Sequence, residues 1–159
     1  MPAGLLAAWQ DAQEMGELYA SKMQPGAVGH EIWAAINADA EDMGYVAVGP
    51  DAGGGATDTT RPEIGVYGHS VGNEAHDIGT RVAMDRPFAY GERVRFPLQT
   101  NEWVSVEFHL STPVPEWDGK TWYTRFEETA QITPTAPRWM IPIQPHPFLI
   151  GVGPSEVVD

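Results

Sequence analysis

Apolar positions in the first part of the chain recur at helical spacing. Leu5, Trp9, Ala12, Tyr19 and Met23 follow one another at intervals of three, four and seven residues, which predicts an amphipathic helix over residues 3–23. "QPGAVG" then breaks the pattern, because Pro25 and Gly26 cannot continue it cheaply. A second helix is expected over residues 29–43, with Ile32, Ala35, Ile36, Ala40 and Met43 on one face and Gly44 as its C-terminal stop.

From Tyr45 the texture changes. The glycine-rich run "GPDAGGGATDTTRPEIG" predicts a long loop, placed at residues 46–65. Loops of that length in a compact domain are usually functional or disordered. "GVYGHSV", "RVRFPL", "WVSVEFHL" and "WYTRFEETAQIT" read as strands. In the third of these, Val104, Val106, Phe108 and Leu110 share the face expected against a core, and Trp103, Ser105, Glu107 and His109 share the other. The proline-rich residues 134–159 suggest an edge segment or an extended tail. Helices followed by antiparallel strands indicate an α+β fold, with two N-terminal helices packed on a curved antiparallel sheet. A length of 159 residues suits one domain spanning 1–159.

Charge and composition narrow the function. The net charge of −13 disfavours phosphate backbones and anionic membranes as partners. The acidity suits either a solvated surface or a carboxylate-rich site for a divalent cation. The absence of cysteine removes disulfides, thiolate ligands and thiol nucleophiles. No apolar run approaches the roughly 18 residues of a membrane span. The N-terminal residues lack the basic start and apolar run of a secretory signal, so a cytoplasmic location is expected.

The chemistry-bearing residues gather in the second half. "YGHSVGNEAHDIG", Tyr67 to Gly79, holds His69 and His76 among turn residues. Glu107 and His109 share a strand face. Glu127 and Glu128 are adjacent, so a half-buried strand must turn one of them inward. A buried carboxylate needs an arginine, a hydrogen-bond network or a metal, because an unpaired buried charge is very costly. Imidazole and carboxylate together suit Zn, Mn, Fe or Co. The same residues also suit a solvated polar turn. Ser70 beside His69 lacks the G-x-S-x-G order of a nucleophile elbow, and "GPDAGGGA" lacks the lysine of a phosphate loop. His30 and His146 stand outside this pattern.

"YGHSVGNEAHDIG" resembles the Gly-His-x-x-Gly…His segment of the pita-bread-fold metallopeptidases: methionine aminopeptidases, Xaa-Pro aminopeptidases and dipeptidases, and creatinase. "MQPGAVGHEIWAAINADAEDMGY" resembles the family's Pro-Gly turn and following helix. "VSVEFHLSTP" resembles its strand with a glutamate ligand, and "RFEETAQIT" its terminal Arg-x-Glu-x-Thr strand. The agreement runs from about Leu5 to Thr133 and covers only the C-terminal half of the fold. The resemblance implies a divalent metal (Mn, Zn, Co or Fe) held by His69, Glu107 and Glu127, with Glu128 in the following variable position. It implies that His76 contacts substrate and the tetrahedral intermediate, where a hydrogen-bond donor meets developing negative charge. It gives Glu107 a catalytic as well as a metal role. His109 is a substrate-pocket candidate that the motif does not cover. The implied activity is metal-dependent hydrolysis of a peptide or small amide, of the Xaa-Pro peptidase type.

One departure is plain. The family uses five metal ligands, and two are aspartates on strands before the Pro-Gly helix. Here only 24 residues precede Pro25, and they read as helix. "DTTR", Asp58 to Arg61, imitates the second aspartate's surroundings but follows the helix, and Asp51 is at the wrong interval. Three ligands of five therefore remain. The two missing ones could come from an N-terminal half, from a second copy in a homodimer, or from Asp51 and Asp58 themselves. A non-catalytic metal- or peptide-binding relative is the alternative reading.

Overall fold

A computed structural model describes residues 1–48 and 60–148. Helix α1 spans Ala3–Lys22 and α2 spans Gly29–Asp42. Strand β1 is Val46–Ala47, β2 Glu63–Tyr67, β3 Ser70–Val71, β4 Trp103–Pro113, β5 Thr121–Gln131 and β6 Arg138–Trp139. The sheet runs β1-β2-β4-β5-β6, with β3 also on β4. All pairings are antiparallel except β1 with β2. The fold is α+β, as the order of patterns implies.

Both helices lie on the aliphatic face of the sheet. Along α1, Ala8, Ala12 and Gly16 are buried at four-residue spacing, which keeps that face flat. Gly16 sits against the Phe126 ring, where an added Cβ would come within 2.6 Å. Tyr19, Phe108 and Phe126 continue the contact as a run of packed rings. From the sheet, Val104, Val106, Phe108 and Leu110 are fully buried, the face expected from alternation in β4. Helix α2 contributes Ile32, Ile36 and Ala40. It ends in a Schellman motif: Gly44 has φ +88°, its N–H donates to the Glu41 carbonyl, and the Tyr45 N–H donates to the Ala40 carbonyl.

Three expectations change. "RVRFPL" is not a strand. Residues Gly91–Arg95 form a 3₁₀ turn, preceded by a short helix at Pro87–Tyr90. Gly91 enters with φ +63°, Pro97 has no N–H to give a ladder, and Val94 and Leu98 are buried four positions apart. The expected 46–65 loop is shorter at both ends, because Val46–Ala47 pairs with Glu63 and Ile64 at the start of β2. The proline-rich C-terminal segment joins the sheet edge at Arg138–Trp139, which pairs with the end of β5. Asp51 and Asp58 lie outside the described residues. No helix among the described residues is long and apolar enough to cross a membrane.

Candidate metal centre

The helix-free face of the sheet carries the polar residues. Glu107 on β4 pairs with Tyr67 on β2 and with Glu127 on β5, so the three side chains leave on one side. Glu128 is one residue on and therefore points the other way. It is directly opposite Val106 on the helix-packed face, where burial raises its carboxyl pKa. Of the adjacent glutamates, Glu127 faces the site and Glu128 does not.

His69 reaches this face because the chain breaks between β2 and β3. Gly68 has φ +154°, and a Cβ there would lie 2.4 Å from the Tyr19 hydroxyl. Only glycine fits comfortably. Buried Tyr19 donates its hydroxyl hydrogen bond to the Tyr67 carbonyl from below. The His69 N–H donates to Ser105 Oγ at 3.0 Å, and the Ser105 N–H donates to the His69 carbonyl at 2.8 Å. The backbone on both sides of His69 is thus anchored to the core.

The ring is oriented as well. His69 Nδ1 is 3.2 Å from the Ser70 carbonyl oxygen, which can only accept, so Nδ1 carries the proton. That leaves a lone pair on Nε2. Nε2 is buried and has no hydrogen-bond partner. It lies 3.6 Å from Glu107 Oε2 and 3.8 Å from Glu127 Oε1. One donor atom from each residue falls within 4.8 Å of the other two. Burial is the main cause that lowers the His69 pKa, and burial followed by the Glu127 charge raises that of Glu107. Two carboxylates held together beside an unpartnered imidazole nitrogen is the donor set of a borderline divalent cation. The residues fit such an ion.

The other expected residues surround this centre. The His76 ring is 4.2 Å from that of His69 and is solvent-exposed. His109 follows Glu107 on the same face, and its Nδ1 is 2.7 Å from the Tyr123 hydroxyl. Its ring also lies 5.0 Å from that of Tyr67. His69, His76, Glu107 and His109 open on one cavity of about 360 Å³, with Trp33, Met84 and Tyr90 forming apolar wall. Sequence patterns gave Tyr19 only as a helix-face position, did not point to Tyr123, and noted Ser105 only as a residue on the Glu107 face. The alternation that puts Ser105 on that face is its one sequence signal.

The comparisons with known proteins bear on this centre. The profile of Metallopeptidase family M24 matches residues 3–134. The chain belongs to this family. A comparison with curated proteins finds no match. Among solved structures, the M24 chain is similar to an X-Pro aminopeptidase from Thermotoga maritima, with a TM-score of 0.57, 16% identity and coverage of 86% of this chain and 31% of that one. It is similar to the prolidase from Pyrococcus horikoshii at TM-score 0.54 and 16% identity, covering 84% of this chain and 30% of the prolidase. For a methionine aminopeptidase from Rickettsia prowazekii the values are 0.52, 19%, 82% and 49%. The chain thus spans less than half the length of these structures. The shared feature is the pita-bread fold, of which this chain carries part.

Proposed function

We propose that this M24 chain is the metal-binding part of an aminopeptidase-like hydrolase of the Xaa-Pro peptidase type. The observation that carries the reading is the buried, unpartnered Nε2 of His69 facing Glu107 and Glu127. His69, Glu107 and Glu127 would hold one divalent ion, Mn, Zn, Co or Fe. When bound, it lowers the pKa of water and polarises a peptide or amide carbonyl.

The chain's own residues do the remaining work. Glu107, whose pKa is raised by burial and by Glu127, is suited to take and return a proton. His76, exposed at the cavity beside His69, is placed to donate a hydrogen bond to an oxygen that gains negative charge. His109, oriented by Tyr123, contacts the bound substrate. A cytoplasmic location and a partner that completes the donor set, an N-terminal half or a second copy, belong to the same proposal.

A second reading is a metal- or peptide-binding relative without catalysis. It is favoured by the number of donors: among the described residues only these three converge. Assay of the metal-supplemented protein on a panel of short peptides, with His76→Gln alongside, separates the two. Turnover that falls at least tenfold in the variant, with metal uptake intact, supports the hydrolase. Metal uptake with no turnover supports the second reading.

A further inference from the structure

Strand β5 leaves most of its outer edge unpaired. On its inner side all of Thr121–Gln131 pairs with β4 in one unbroken register. On its outer side β6 pairs only with Ala130 and Gln131, and the Met140 N–H donates to the Thr129 carbonyl at 2.9 Å. Backbone groups alternate in direction along an antiparallel strand. Because the Thr129 carbonyl points outward, the N–H and C=O groups of Thr121, Tyr123, Arg125 and Glu127 point outward too. None of these groups has a backbone partner on that side among the described residues.

Native sheets blunt such an edge with proline, a bulge or a covering segment. Residues 121–128 contain no proline and no bulge. They are rich in threonine and aromatic residues, which favour strands. The same edge is the open side of the candidate metal centre. The Glu127 side chain is 59% exposed, against 20% for Glu107 and 6% for His69.

The edge is also complementary to itself. Two copies related by a twofold axis would run antiparallel here, with outward residues facing outward residues, so the axis falls at one residue of β5. An axis at Arg125 sets two arginines directly opposite, which opposes pairing. An axis at Phe126 runs Tyr123 of the copy onto Thr129, whose carbonyl β6 already holds. An axis at Tyr123 needs Gly119 and Asp118 in the strand, and both have positive φ. An axis at Thr124 meets none of these obstacles. It pairs Thr121 with Glu127, Trp122 with Phe126 and Tyr123 with Arg125.

The same placement matches two groups that the single chain leaves unmatched. Lys120 continues the ladder to β4, since its carbonyl accepts from the Val114 N–H at 2.9 Å, and it comes to stand opposite Glu128 of the other copy. Glu128 has no ion pair among the described residues. Thr124 meets its own copy as a non-hydrogen-bonded pair, the closer of the two spacings, where two threonines can share a hydrogen bond. Its Oγ1 is buried and has no partner in the single chain.

We infer that a second copy of this chain pairs antiparallel with the outer edge of β5, with the twofold axis at Thr124, and so closes the open side of the candidate metal centre. The interface stands on the edge geometry, and its role at the centre rests on the hydrolase reading of His69, Glu107 and Glu127. On the site face, Thr121 of the second copy lies opposite Glu127, with its hydroxyl beside the carboxylate. The two centres share one continuous sheet face, about 20 Å apart, because six residues of strand separate them.

Sedimentation equilibrium of the metal-free protein over a concentration series tests this. The net charge of −13 per chain opposes association, so the series is run in salt that screens distant charges. The mass should rise from 17.4 kDa to twice that value. Lys120→Glu should weaken the dimer about tenfold, and adding Glu128→Lys should restore it, because both copies of one charge pair are broken and then remade. Thr124→Cys should form a disulfide with its own copy on oxidation, and the chain has no other cysteine to compete. Arg125→Cys, placed opposite Tyr123, should not. Thermal melts verify that the variants fold. A mass of 17.4 kDa at every concentration leaves the edge to a different segment and overturns the second copy. A dimer indifferent to Lys120→Glu, or one that cross-links through Arg125→Cys as readily as through Thr124→Cys, overturns the register. Metal uptake measured on the same samples separates the two levels. Uptake by a monomer removes the β5 interface alone, and a dimer without uptake removes the hydrolase reading and leaves the interface.

Discussion

Glu107 and Glu127 lie directly opposite each other on neighbouring strands, on the face shared with His69. Like charges in that position oppose strand pairing, by roughly 0.2–1 kcal/mol. Without metal the fold therefore carries a cost at its own candidate centre. Glu127→Gln should stabilise the chelated protein by about 0.5 kcal/mol, on the cross-strand scale. With excess divalent metal the order should reverse, because an ion that binds only the folded state adds stability by mass action. Urea melts with and without chelator measure both signs.

The His69 pKa sets a pH dependence for the metal-free protein. Burial holds it below the ordinary value of 6.5. The unfolded chain therefore binds more protons than the folded one in the window below 6.5, and stability contributed by this residue rises with pH through that window and levels off above it. Glu107 works in the opposite sense. Its pKa is raised above 4.5, so its contribution falls as pH rises from 4.5 to its folded value. The stability difference between wild type and His69→Asn, measured from pH 4 to 8 by denaturant melts, isolates the first effect. It should grow with pH up to about 6.5 and then stay constant, since 6.5 is the histidine reference value.

Tyr19 and Gly68 form one unit. Tyr19→Phe removes a buried hydrogen bond to the Tyr67 carbonyl and should cost about 1 kcal/mol. Gly68→Ala places a Cβ against the Tyr19 hydroxyl and the Ser105 carbonyl, with a backbone conformation that L residues rarely adopt. It should cost roughly 2–4 kcal/mol from overpacking and backbone strain together. The double variant should be less destabilised than the sum of the two, because removing the hydroxyl relieves part of the clash. Thermal or denaturant melts of the four proteins in the cycle give the coupling directly.

Ser105 has a separate job. Ser105→Ala leaves the His69 N–H without its acceptor in a buried place, at a cost of about 1–3 kcal/mol. Metal affinity should fall along with stability, because the same hydrogen bond anchors the backbone from which the ring leaves. Ser105→Thr keeps an oxygen at that position and should recover much of both. Titration of a divalent ion into the folded variants reads the affinity.

Local signals carried much of the fold. Helix α2 is legible because Ile32, Ile36 and Ala40 mark a face and Gly44 closes a Schellman motif within five residues of Ala40. Strand β4 is legible because its alternation is strict. The orientation of β5 is not, since Thr124, Phe126 and Glu128 alternate as plausibly as Tyr123, Arg125 and Glu127. The pairing of Glu107 with Glu127, a tertiary fact, decides it. "RVRFPL" misleads for the same reason: Val94 and Leu98 pack as two points of a turn held by Arg93, a contact between distant segments. Histidine and glutamate candidates stand out by residue type and motif. Tyr19 and Ser105 support them through hydrogen bonds to the Tyr67 carbonyl and the His69 N–H, tertiary contacts that no local pattern records.

The most direct measurement is the metal content of the purified protein by inductively coupled plasma mass spectrometry, with His69→Ala beside it. About one tightly held Mn, Zn, Co or Fe per chain, lost in the variant, is the expected result for three protein ligands that leave a coordination position open. A wild-type chain that contains no such metal and takes up none when supplied would contradict the central claim that His69, Glu107 and Glu127 form a metal centre.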